Sequence, residues 1–244
     1  MRGLLLIVLL AGCSRAPEVR EDSPSPSPPS PEALSESGLQ GRFRWVGAPS
    51  DAMKVADDAV PGCVSGRPAG ALVPGPDAGL GGVVVQVVGA PGTATAPAEA
   101  IVTGTACSLV PRVSTLAAGG TLRVRNADPV LWTFHLKRLD GGQARTIQDL
   151  AVPPGHPGLS WTLREPGVYR VDSDRWGPGL GYVVVAGGGQ TIVSGADGRF
   201  AAPDLPAGAW TARWWHEVAG EGEQAIEVPA DGPAALYVDL PRGG

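Results

Sequence analysis

Histidine, methionine and cysteine are scarce in this sequence: three His, two Met and three Cys among 244 residues. That scarcity limits metal and acid–base chemistry from the outset. Neither Cys-x₂-Cys nor His-x₃₋₅-His occurs, which excludes the common zinc spacings. The Gly-x-Ser-x-Gly elbow of serine hydrolases is missing. Gly187 to Gly189 lacks the following helix and lysine of a phosphate cradle and reads as a turn. Basic charge is also short, with 19 Lys+Arg against 24 Asp+Glu. No basic patch stands out, so nucleic acid is excluded as a partner. No apolar run reaches the roughly 20 residues of a membrane-spanning helix, and no amphipathic helix is evident.

The N-terminus is informative. Arg2 precedes the apolar run Leu4 to Leu10, which suits the h-region of a signal peptide. The run ends in Leu10-Ala11-Gly12-Cys13, which resembles the bacterial lipobox. The implied product is cut before Cys13 and lipidated on its thiol, so its first partner is the membrane. More than one acyl chain makes such anchoring stable. Ser14, in the place where Asp would signal inner-membrane retention, favours the outer membrane. Cys63 and Cys107 remain, an even number in an oxidising compartment, which suggests one disulfide; two free thiols are the alternative. Pro and Ser then alternate from Pro17 to Pro31. Such a stretch prefers an extended polyproline II tether.

The remaining Gly and Pro residues punctuate short apolar runs, the pattern of many strands joined by turns. Val83 to Val88, broken only by Gln86, and Tyr182 to Val185 are apolar runs suited to strands buried on both faces. Trp132, Phe134 and Leu136 share one strand face, as do Leu159, Trp161 and Leu163. Later runs are Thr191 to Ser194, Trp210 to His216, Gln224 to Val228 and Leu236 to Leu240, with a turn at Asp197-Gly198. The expected fold is all-β, a β-sandwich followed by a smaller β-module.

Several motifs occur in a telling order: Ala71-Leu72-Val73, Val83–Val88, Cys107-Ser108-Leu109-Val110-Pro111, Asn126-Ala127-Asp128-Pro129 and Gly181-Tyr182-Val183-Val184. Together they resemble the plastocyanin-like, or cupredoxin-like, proteins of bacteria. Gly195-Ala196-Asp197-Gly198-Arg199-Phe200 and Asp204-Leu205-Pro206-Ala207-Gly208 resemble the carboxypeptidase-regulatory-like module that follows the cupredoxin sandwich in some of them. The resemblance implies a signal peptide at 1–12, a lipidated tether at 13–38, a cupredoxin-like β-sandwich at 39–186 and an Ig- or transthyretin-like module at 187–244. It also implies a copper site of two His, a Cys and an axial Met. The four positions it assigns to those ligands hold Trp132, Ser173, Trp176 and Gly179. The expectation is a site that has lost its ligands, with no cofactor.

The other candidates are few. His135 falls on the strand face opposite Trp132; His156 sits in a Pro/Gly loop; His216 ends a strand. A residual metal site from His135, His156 and Asp172 or Asp174 is weighed against solvated side chains. Asp172 and Asp174 could also mimic a glycosidase pair, an arrangement that ordinary turn-flanking acids share. Trp176, Trp214 and Trp215 offer faces for stacking on a partner or ligand. Adjacent Trp214 and Trp215 must point to opposite sides of a strand, one into the module and one toward the sandwich or solvent. The expected role is a non-catalytic envelope binding or scaffolding module for a protein or glycan. The rivals are a copper electron-transfer protein with a non-standard site and an envelope enzyme.

Overall fold

The computed structural model describes residues 37–47, 74–90, 96–106, 108–173, 180–203 and 205–240. Cys13, Cys63, Cys107, Asp174, Trp176 and Gly179 lie outside the described residues, as do the signal peptide and most of the tether. The protein is all-β, as expected. Among the described residues no helix is long and apolar enough to cross a membrane.

Among the described residues, nine strands form a first sandwich. One sheet has the order β4 (Ser108–Val110), β3 (Glu99–Thr105), β6 (Gly120–Asn126), β9 (Leu159–Leu163). The facing sheet runs β5 (Val113–Ala117), β11 (Gly181–Ala186), β10 (Gly167–Asp172), β7 (Trp132–Asp140), β8 (Gln143–Val152). Strand alternation builds its core: Leu122 and Val124 of β6 face Trp132, Phe134 and Leu136 of β7, with Val183 and Val185 of β11. The intervening Arg123 and Arg125 of β6 point outward.

Among the described residues, seven strands form a second sandwich. Its sheets are β13 (Arg199–Ala202), β1 (Ser37–Trp45), β16 (Gly232–Leu240) and β12 (Gln190–Val193), β2 (Val84–Val88), β14 (Gly208–His216), β15 (Gly220–Val228). Leu39, Phe43 and Trp45 of β1, Val85 and Val87 of β2, and Leu236 and Leu240 of β16 share one core with Phe200, Ala212, Ile226 and Val228.

This pairing corrects the expected boundaries of 39–186 and 187–244. β1 and β2 belong to the second sandwich, not the first. β1 pairs parallel with β16 from Ser37↔Gly232 to Trp45↔Leu240 and antiparallel with β13 on its other edge. β2 pairs antiparallel with both β12 and β14. Core size is the physical reason: a module of some 55 residues is marginal by itself, and β1 and β2 contribute Leu39, Phe43, Trp45, Val85 and Val87 to its core. The first sandwich is therefore an insertion between β2 and β12. These two strands are antiparallel neighbours in register Gln190↔Val87 to Val193↔Val84, so they read as a hairpin whose loop has been replaced by nine strands. The return crossing is Gly187-Gly188-Gly189. A Cβ at Gly189 would stand 2.1 Å from the Val87 carbonyl oxygen, so only glycine fits that approach.

Candidate functional site

Two regions were candidates: the end of the first sandwich near the Asn-x-Asp turn, and the strand carrying the paired tryptophans. At the first, Asn126 closes β6 and organises a turn. Its side-chain amide donates to the carbonyls of Val130 (2.7 Å) and Val152 (2.8 Å), and its Oδ1 accepts from the Asp128 N–H (2.9 Å). Asp128 Oδ1 accepts from the Ala106 N–H at 2.7 Å, and Oδ2 accepts from the Trp132 indole N–H at 3.0 Å. The Trp132 ring is fully buried. It stacks on Phe134 with centroids 5.1 Å apart and lies over Gly104, where an added Cβ would come within 2.7 Å of it.

This arrangement does not fit the copper that the family resemblance implies. An indole N–H is a donor only, and this one is directed at a carboxylate. The Ser173 hydroxyl lies 3.5 Å from Thr133 Oγ1, the neighbour of Trp132 on the opposite strand face. Neither residue offers the imidazole or thiolate that type 1 copper requires.

The histidines do not converge either. His135 Nδ1 is 2.6 Å from Asp149 Oδ1 on the adjacent strand. His156 Nδ1 accepts from the Gly158 N–H within its own loop, at 3.1 Å. His216 Nδ1 accepts from the N–H groups of Val218 (3.3 Å) and Ala219 (3.1 Å). Asp172 is held by Lys137 (2.9 Å) and Arg170 (2.8 Å), which makes it an ion-pair member. Among the described residues no three His, Cys, Asp or Glu side chains group as metal ligands.

The second region is the seam between the sandwiches. β14 places Ala212, Trp214 and His216 toward its own core and Arg213 and Trp215 toward the first sandwich. Trp214 tilts against Phe43 at 5.8 Å, and Trp215 against Tyr182 of β11 at 5.1 Å. The expected division of labour between the two tryptophans is therefore what the structure has. Beside this contact Arg112, just before β5, forks onto Glu217, with Nε–Oε1 2.5 Å and Nη2–Oε2 2.6 Å. The Glu217 side chain is only 3% exposed. No sequence signal marked this pair, whose members are 105 positions apart.

The electrostatics follow from burial. The Tyr182 hydroxyl is pushed up to about 12, first by desolvation and then by the Glu217 charge, with which it hydrogen-bonds; Arg112 and Arg170 oppose the shift. His216 is pulled down to about 4, first by burial and then by the Arg112 charge. Its ring is therefore neutral near pH 7, consistent with Nδ1 acting as acceptor. Next to the seam lies a groove of about 200 Å³. Val84, Gln86, Trp214 and Trp215 form one side; Pro166 and Val184 form the other.

No family model and no curated protein matches the chain. Among solved structures it is similar to a purple cupredoxin from Nitrosopumilus maritimus, at 17% identity over 37% of this chain and 100% of that one, TM-score 0.31. It is similar to a reduced amicyanin variant at 16% identity over 42% of this chain and 98% of that one, TM-score 0.31. A third is auracyanin A, a blue copper protein from Chloroflexus aurantiacus, at 14% identity over 36% of this chain and 98% of that one, TM-score 0.29.

Proposed function

We propose that this chain is a non-catalytic envelope lipoprotein, anchored through lipid on Cys13 and held off the outer membrane by its Pro/Ser tether. Its two sandwiches, plastocyanin-like and carboxypeptidase-regulatory-like in type, act as a metal-free binding or scaffolding module for an envelope protein or glycan.

The observation that carries this reading is the seam. Trp215 against Tyr182 and Arg112 against Glu217 join the sandwiches, and the same β14 strand walls an open groove. The position that the family resemblance assigns to a copper ligand holds Trp132, which is buried and stacked on Phe134. Burying an indole stabilises by roughly 2–3 kcal/mol, so packing can organise that end.

The test is capture from the organism's own membranes with tagged full-length chain, with bound metal measured in the same sample. The reading expects membrane fractionation that depends on Cys13, a reproducible protein or glycan partner, and no stoichiometric copper. A Cys13→Ala chain that stays with the membrane, or copper retained at one per chain, would contradict it.

A further inference from the structure

β15 ends its four-stranded sheet, and among the described residues only β14 pairs with it. Every second residue of an edge strand directs its N–H and C=O away from its one partner, which makes a template for a further strand. We propose that the β15 edge takes an extended basic segment of a partner protein as an added strand; this rests on the binding-module reading above and names the kind of partner.

Among the described residues, the other sheet edges are protected in recognisable ways. β4 spans three residues, β12 and β13 four each, and β5 and β9 five each; short edges offer little to pair with. β8 is long, but a register shift at Leu136/Lys137 breaks its ladder, and such an irregularity twists an edge away from an incoming strand. β16 has nine residues, but its Pro233 offers no N–H. Its exposed Asp239 is already forked onto Arg44, at 2.9 Å for each oxygen. β15 has nine residues, no proline, and an unbroken register from Gly208↔Val228 to His216↔Gly220.

Charge selects the occupant. Alternation buries Ile226 and Val228 and turns Glu221, Glu223 and Glu227 to the exposed face. Arg213 engages Glu223, Nε–Oε2 2.9 Å. Glu221 and Glu227 have no ion-pair partner among the described residues. A second copy of β15 would set carboxylate against carboxylate, which is destabilising across a ladder, whereas opposite charges there attract. The edge is therefore closed to itself and open to a basic strand. Residues 14–36 hold two Arg against five Asp and Glu, and residues 48–73 hold Lys54 and Arg67 against Asp51, Asp57 and Asp58. Both stretches are net acidic, so neither suits this edge and the occupant comes from another chain.

Added strands gain affinity from main-chain hydrogen bonds and specificity from alternate side chains. The partner strand meets Glu221 and Glu223 with Lys or Arg two residues apart, and Glu227 with a third, four residues from the nearer of these. A hollow of about 410 Å³ against the first half of β15, bounded by Arg213, Trp214, Glu221, Gly222 and Glu223, leaves room for its side chains.

The experiment titrates the full chain, at physiological salt, with a labelled peptide of alternating Lys and Thr, and follows amide hydrogen exchange. One control is the alternating Glu–Thr peptide. The other is the Lys–Thr peptide N-methylated at every residue, which keeps its charge and loses every N–H donor. The expected result is saturable binding of the Lys–Thr peptide, with exchange slowed along β15 and unchanged along β8 and β16. The N-methylated peptide should bind at least tenfold more weakly. Glu221→Lys combined with Glu227→Lys, both at exposed positions, should weaken Lys–Thr binding at least tenfold and admit the Glu–Thr peptide instead. Failure of the Lys–Thr peptide to saturate would overturn the proposal. So would equal binding of the N-methylated peptide, which would mean charge alone, or slowed exchange at another edge. A membrane partner captured equally by wild type and the double variant would refute this edge while leaving the binding-module reading intact.

Discussion

Arg112 and Glu217 meet across the seam as a fork, two parallel hydrogen bonds of 2.5 and 2.6 Å joining the first sandwich to the end of β14 in the second. The carboxylate is almost wholly buried, so the pair is worth most as a pair. Breaking one side of such a contact costs about 3–5 kcal/mol, because it strands a buried charge. Arg112→Ala and Glu217→Gln should each lower stability by about that amount in urea unfolding. The double variant should lose less than the sum of the two. Glu217→Gln should also bring the Tyr182 hydroxyl down from about 12, as read by ultraviolet titration, because it removes the second cause of that shift.

His216 makes the protein acid-sensitive. Its folded value, about 4, lies below the ordinary 6.5, so between these limits the unfolded chain binds the extra proton. Stability is therefore fully present above about pH 6.5 and falls as pH drops toward 4. The loss is about 3 kcal/mol by linkage. Protonation would also remove the acceptor for the N–H groups of Val218 and Ala219. His216→Asn keeps an acceptor and has no titration, so its unfolding free energy should be flatter over the same pH window.

The insertion predicts which pieces fold. A chain of residues 37–88 joined by a short turn to 190–240 keeps all seven strands and should fold, weakened by the exposed Trp215 and unpaired Glu217. Residues 187–244 alone lack β1 and β2, with Leu39, Phe43 and Val85 of the core, and should remain unfolded. Dispersed against collapsed amide NMR spectra distinguish the two outcomes.

The sequence carried this fold unevenly. The nearly continuous run Val83–Val88 and the run Tyr182–Val185 marked strands suited to burial on both faces. Tyr182 to Val185 are all buried, and Val84, Val85 and Val87 are too, with Val84 and Val184 both lining the inter-sandwich groove, but Val88 at the end of β2 is exposed. Adjacent Trp214 and Trp215 had to diverge, since strand side chains alternate. Which sheet a strand joins was not legible. β1 and β16 pair in parallel across nearly the whole chain, and nothing in either strand's alternation names its neighbour. β8 gave no signal because most of its residues are exposed, so no apolar alternation marks it. The Arg112–Glu217 fork was invisible for the same reason as the β1 pairing: it is a product of the insertion.

Trp132 and Gly104 form a tight fit at the closed end of the first sandwich. Gly104→Ala should destabilise by about 1–3 kcal/mol, the usual cost of overpacking, because its methyl would meet the indole at 2.7 Å. Pairing it with Trp132→Phe, which shrinks the ring, should recover part of that loss. Equal losses with and without the second change would show that the two side chains do not share the space.

The most direct measurement is copper reconstitution. The full chain is refolded with Cu(II), freed of excess metal, and examined for retained copper and for the intense visible charge-transfer band of a copper–thiolate bond. With Trp132 packed into the core and its N–H on Asp128, the account predicts no band and no stoichiometric copper. An intense band with one copper per chain would show that a thiolate and imidazoles do converge, and would contradict a metal-free binding module.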